Sequence, residues 1–393
     1  MASDPRAGSA TATIPLQSSL PPVRPRLDSV DLLRGLVMIL MALDHTRAFF
    51  SNVTFYPLQL DRTWPILFWT RWFTHFCAPV FVFLAGTGAF LSTTRGKTSA
   101  QLSWFLFTRG LWLVFLECTV ILWFGWSFSI NFRSIGAAVI WAIGWSMVAL
   151  AGLVFLPVRY IALFGIVMIA GHNLLDPLSP ERFGAFDWLW RILHIQGPVL
   201  IGADPAKPSF VIGVGYPLVP WIGVMAAGYA FGSMFLWEAK RRQRAILSLG
   251  LILSALFFIL RAANVYGDPS AWSVQKSPLY TFFSFINCTK YPPSLLYLCM
   301  TLGPALIVLA CVERATPRFL EPVLVFGRVP LFYYLLHLPL IHGLAVVIRQ
   351  GGPGYDLPVV YAVWIGVILV LYPVCRWFAN VKRRRRDAWL SYF

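Results

Sequence analysis

Residues 30–50 read VDLLRGLVMILMALDHTRAFF. About 20 apolar residues in a helix cross the hydrocarbon of a bilayer, so the run predicts a membrane span. Yet it keeps Asp31, Arg34, Asp44, His45 and Arg47, in a medium that excludes charge. Ionisable groups at that depth are costly and point to function. Steps of three, four, three and four place Asp31, Arg34, Met38, Met41 and His45 on one helical stripe. At ~1.5 Å rise per residue, Arg34 and His45 stand roughly 16 Å apart along the axis.

The same pattern continues outward along the chain. Of 393 residues, 58% are hydrophobic and only 12% charged, which excludes an ordinary soluble domain. Further apolar runs lie near 66–92, 102–124, 135–156, 158–175, 212–236, 245–263, 291–311, 328–348 and 357–378. The turn at Pro157–Arg159 is the weakest boundary, and the fifth run reads either as a span or as a re-entrant piece. The formal charge of +16 gathers between the runs, at 95–97, 240–244, 313–318 and 382–386. That distribution marks cytoplasmic loops facing anionic lipid headgroups, and it argues against a nucleic-acid partner.

The reading is an all-α, polytopic integral membrane helical bundle of about ten transmembrane helices with both termini cytoplasmic. A disordered tail at 1–28 and a basic tail at 380–393 flank the membrane domain at 29–379. Loops 176–211 and 264–290 then face outward, with 186–195, FDWLWRILHI, as an amphipathic interfacial helix. The six cysteines form neither a disulfide framework nor a metal-ligand spacing. No internal repeat of the transporter kind appears.

Three more segments carry titratable groups. Arg71 and His75 are one turn apart on the second span, where His75 reaches a depth similar to that of His45. On the ninth, Tyr333 and His337 are one turn apart and His342 points elsewhere. Tyr333 and His337 either line a polar cavity or pack structurally, with His337 bonded to a backbone carbonyl. Arg109 and Glu117 are about 12 Å apart axially, so each needs a partner on another helix. The stretch KYPPSLLYLCMTLGP, 290–304, reads as the structural start of a span.

VDLLRGLVMILMALDH, THFCAPVFVFLAG, KYPPSLLYL and FGRVPLFYYLLHLPLIH stand in this order across about 30–348. Together they resemble the bacterial branch of the heparan-α-glucosaminide N-acetyltransferase-like family of the transmembrane acyltransferase superfamily. The Arg34-to-His45 spacing also resembles the R-x10-H element of the related acyltransferase-3 branch. The resemblance implies a multi-pass protein of the bacterial inner membrane. It also implies that an acyl group, usually acetyl from cytosolic acetyl-CoA, passes to a carbohydrate or glycan on the far side, with no metal. The animal members carry their catalytic histidine between the first two spans, whereas SNVTFYPLQLDRTW at 51–64 has none. The acceptor therefore stays open.

Acyl transfer needs a base and a stabilised oxyanion. Histidine titrates near neutral pH, and arginine stays charged in a low dielectric. The expected roles are His45 as general base or transient acyl carrier, His75 as its partner or replacement, and Asp44 as the group that orients it. Arg71 or Arg47, with Tyr333 and His337 nearby, would face the oxyanion or the sugar. Arg34, with Asp31, would hold a CoA phosphate at the tunnel mouth. The competing class is a proton-coupled transporter or lipid flippase, which buried His, Asp, Arg and Glu also suit.

Overall fold

The computed structural model describes residues 27–94, 96–202, 204, 206–313, 318–385 and 387–393. The expected tail at 1–28 lies, except for residues 27 and 28, outside the described residues. Helices occupy every predicted span. α1 runs Asp28–Phe50, α2 Pro65–Phe73, α3 Cys77–Thr93, α4 Ser99–Leu116, α5 Val139–Leu153, α6 Val158–Gly171 and α7 Asp187–His194. α8 follows at Leu218–Gly232, α9 at Ala239–Ala263, α10 at Pro278–Ile286, α11 at Leu295–Val312, α12 at Glu321–Arg328, α13 at Pro330–Arg349 and α14 at Leu357–Arg384. Among the described residues, eight continuous helical segments are long and apolar enough to cross a membrane. α5 is apolar but shorter, and α1 carries the charges that set it apart. The fifth run forms one continuous helical segment, Val158–Leu175, long and apolar enough to cross a membrane.

The predicted boundaries shift where strands intervene. Residues 134–137 and 210–214 are not helix ends but strands β1 (Ser134–Ala137) and β3 (Phe210–Val214), which with β2 (Gly197–Ile201) make a small sheet in the order β1-β3-β2. β3 pairs parallel with β1 and antiparallel with β2. A π-helical segment, Glu117–Ser127, continues α4 toward β1. Since successive helices alternate in direction, the sheet and the loops at 51–64, 264–294 and 350–356 share one end, called here the loop end. The described residues of the basic clusters, among them 96–97, 240–244 and 382–385, gather at the other.

α1 is the hub, packed against α3, α11, α12, α13 and α14. Its crossing with α12 depends on missing side chains. A Cβ on Gly35 would lie 1.9 Å from the Val323 carbonyl oxygen, and one on Gly327 would lie 1.7 Å from that of Asp31. Small residues let membrane helices approach this closely, where lipid gives no hydrophobic drive to associate. Gly327→Ala is therefore expected to lower the unfolding midpoint, at an overpacking cost of about 1–3 kcal/mol. Gly88→Ala, where a Cβ meets nothing within 4 Å, is the control; equal midpoints for the two variants would refute the tight crossing.

Loop-end backbone is pinned by buried polar side chains. Arg261, 1% exposed, donates to the carbonyls of Ser270, Ser284, Phe285 and Asn287. Asp268 accepts from the Thr289 backbone N–H and from the Ser294 hydroxyl, which in turn caps α11 by accepting from Tyr297 N–H. The loop that ends in Lys290 and Tyr291 is thereby held against the bundle.

Candidate active site

Residues 44 and 45 are about 100° apart around α1, and two polar clusters form on those two faces. On one, His45 Nδ1 lies 2.7 Å from His337 Nε2, with the rings stacked at 5.0 Å. His337 Nδ1 meets the Tyr333 carbonyl oxygen at 3.0 Å. A carbonyl only accepts, so this nitrogen carries the proton, and in the neutral ring Nε2 must be an acceptor. His45 Nδ1–H therefore donates to His337, which leaves the lone pair on His45 Nε2. The tautomer follows from the hydrogen-bond network. Trp126 and Tyr334 stand edge-on to His45 at 5.3 and 6.0 Å, while Tyr333 stacks on His337 at 5.0 Å.

On the other face, each oxygen of Asp44 meets an arginine: Arg47 donates to Oδ1 at 3.0 Å and Arg71 to Oδ2 at 2.6 Å. Arg71 also donates to Thr74 Oγ1 at 2.9 Å. Arg71, Lys290 and His75 are all buried. Among the described residues no group hydrogen-bonds either ring nitrogen of His75, Nε of Arg71 or Nε of Arg47. Tyr297 packs edge-on to His75 at 5.3 Å and donates to its backbone carbonyl. Tyr291 donates to Tyr216 at 3.4 Å. Burial alone would raise the Tyr291 phenol, but the Lys290 ammonium and the Arg71 guanidinium outweigh it and hold the group below the usual tyrosine range. The cluster thus gathers three cations around one carboxylate.

Two expectations change. His75 is not the partner of His45: it packs on Tyr297 near the Asp44–Arg71 cluster, and His337 takes the place beside His45. The KYPP stretch is more than a helix start, because Lys290 and Tyr291 reach the Asp44–Arg71 cluster. A lysine set between apolar and aromatic neighbours was the available signal. Asp44 is held by arginines rather than aimed at His45, as expected for adjacent helical positions.

The remaining candidates have anchoring contacts. Arg34 donates to Asp31 at 2.9 Å and to the Gly327 carbonyl at 3.3 Å, across the α1–α12 crossing. Glu117 accepts from the Ile140 backbone N–H at 3.0 Å, a carboxylate at the start of α5. Arg109 donates to the Ser391 carbonyl at 2.9 Å, so the last residues pack back on α4. His342 lies between Phe49 and Phe128 and bonds the Gly125 carbonyl.

A family model described as heparan-alpha-glucosaminide N-acetyltransferase, catalytic, matches residues 26–265. The chain belongs to this family. As a heparan-alpha-glucosaminide N-acetyltransferase-type protein it is a multi-pass membrane acetyltransferase, and the family uses acetyl-CoA as its general donor. No curated protein matches the chain. His45, Asp44, Arg47, Arg71 and His75 fall inside the matched residues; Lys290, Tyr291 and His337 come from beyond them.

Proposed function

We propose that the protein moves an acetyl group from cytosolic acetyl-CoA to a hydroxyl or amine of a carbohydrate on the outer side of a bacterial inner membrane. The supporting observation is the His45–His337–Tyr333 chain, which leaves His45 Nε2 as the basic atom. In the direct route, Nε2 takes the acceptor proton as the acceptor oxygen or nitrogen attacks the thioester carbon. The C–S bond then breaks, and the thiolate recovers that proton from His45. In the alternative route the same Nε2 attacks the thioester carbon and the C–S bond breaks to release the CoA thiolate; the acceptor then attacks the acetyl carbon, the Nε2–C bond breaks, and the acceptor proton passes to the thiolate. The cationic face with Arg71, Arg47 and Lys290 supplies positive potential for the developing oxyanion or for an acidic acceptor.

The basic clusters support a loop end that faces outside; Arg34 then lies toward the cytosolic end of α1, roughly 16 Å below His45. That span is comparable to an extended pantetheine arm, with the CoA phosphates held near Arg34. A transporter built on the same charges would leave the thioester intact. With acetyl-CoA and a set of amino sugars and neutral and acidic glycans supplied to proteoliposomes, release of free CoA thiol dependent on one acceptor is the expected result. Translocation of a sugar without thiol release would refute the transferase reading.

A further inference from the structure

The loop end holds a second polar cluster that the acetyl-transfer reading does not use. One ring nitrogen each of His172 and His194 and a carboxylate oxygen of Asp176 lie within 4.8 Å of one another. His172 follows α6, Asp176 lies a turn further on, and His194 ends α7. Both histidines are 2% exposed. Among the described residues no hydrogen bond of good geometry reaches either nitrogen of His172 or Nδ1 of His194, although the Pro293 carbonyl approaches His172. His194 Nε2 and Asp176 Oδ1 are 2.9 Å apart. Buried imidazole nitrogens are costly to leave without a partner.

We propose that His172, Asp176 and His194 form a structural divalent-metal site, matched to Zn2+, that clasps α6 to α7 beside the start of α11. Two imidazole nitrogens and a carboxylate oxygen are a zinc donor set, with water as the fourth ligand. Metal–ligand bonds of about 2.0–2.2 Å put tetrahedral ligand atoms about 3.4 Å apart. The His194–Asp176 edge, at 2.9 Å, would widen slightly, and the other two edges, within 4.8 Å, would adjust to that spacing. Three protein ligands leave one position open to water, and aromatic packing flanks the His194 ligand. Trp190 packs on His194 at 5.1 Å, Phe183 stacks on Trp190, and the indole N–H is fixed to the Leu178 carbonyl.

The support extends past the ligands. Asn173 donates to the other oxygen of Asp176 at 2.8 Å and accepts from the Leu295 backbone N–H at 2.9 Å. Ligand carboxylates are commonly oriented by such a hydrogen bond. Through Asn173 the site reaches the first residue of α11, four positions beyond Tyr291. Metal binding would therefore stiffen the loop that carries Lys290 and Tyr291.

The test uses the purified full-length protein in detergent, stripped with a chelator and dialysed against Zn2+ alone. One tightly held Zn2+ per chain and a higher unfolding midpoint are expected, and Co2+ in its place should show the visible absorption of a four-coordinate site. His172→Ala/His194→Ala should lose the metal and the spectrum. Asp176→Asn keeps the hydrogen-bonding shape and guards against misfolding; it should lose most of the binding while eluting as wild type. Asn173→Ala should bind about 10–100-fold more weakly. Folded wild type that binds no Zn2+, or folded variants that bind it as wild type does, would overturn the site. All these readouts are independent of acetyl transfer.

Discussion

Alanine in place of His45 is expected to lower acetyl transfer from labelled acetyl-CoA by about 10²–10⁴-fold, the range typical of a general base. The protein should still fold, because His45 is only partly buried and its one polar tie among the described residues is to His337. His337→Ala should be less severe. It removes the acceptor that selects the Nδ1–H tautomer, so His45 remains but spends part of its time with the proton on Nε2. An acyl-enzyme trapped on His45 with a slow acceptor would choose the two-step route over the direct one. Wild-type turnover in His45→Ala would move catalysis to the other face of α1, where His75 is the next candidate.

The second large effect is on stability. Asp44→Asn leaves Arg47, Arg71 and Lys290 grouped without the carboxylate that both arginines contact. Breaking a buried pair by removing one partner costs about 3–5 kcal/mol, mostly the penalty of the abandoned charge. Asp44→Asn should thus sharply lower the unfolding midpoint in detergent. The double variant Asp44→Asn/Arg71→Gln should recover part of that loss, because it removes one stranded cation along with its partner. Thermal midpoints for wild type, both single variants and the double variant close the cycle. Strict additivity would mean that Asp44 and Arg71 do not act as a unit.

How much was legible beforehand depends on what kind of signal each feature leaves. The helical runs were readable because lipid demands about 20 apolar residues per crossing, whatever the neighbours. The misplaced boundaries are instructive: 134–137 and 210–214 are as apolar as the helices that follow them, and strand or helix is settled there only by the pairing between them. Likewise Arg261 is a lone basic residue in the sequence, and its four backbone carbonyl partners come from two separate stretches, Ser270 and the end of α10 at 284–287.

The candidate site divides in the same way. Periodicity alone put Asp31, Arg34 and His45 on one stripe of α1, since 3.6 residues per turn is a local property. It could not show that His45 meets His337, 292 positions away, or that His75 faces Arg71 and Asp44 instead. It also missed Lys290 at the Asp44 cluster, and His172, Asp176 and His194 as neighbours. Composition and period thus determined on their own that this is a helical membrane protein with charged groups on its first span. Which imidazole pairs with which, and so which nitrogen is basic, was decided only by the tertiary structure. The reason is physical: a tautomer is set by the group across the hydrogen bond, and that group belongs to another helix.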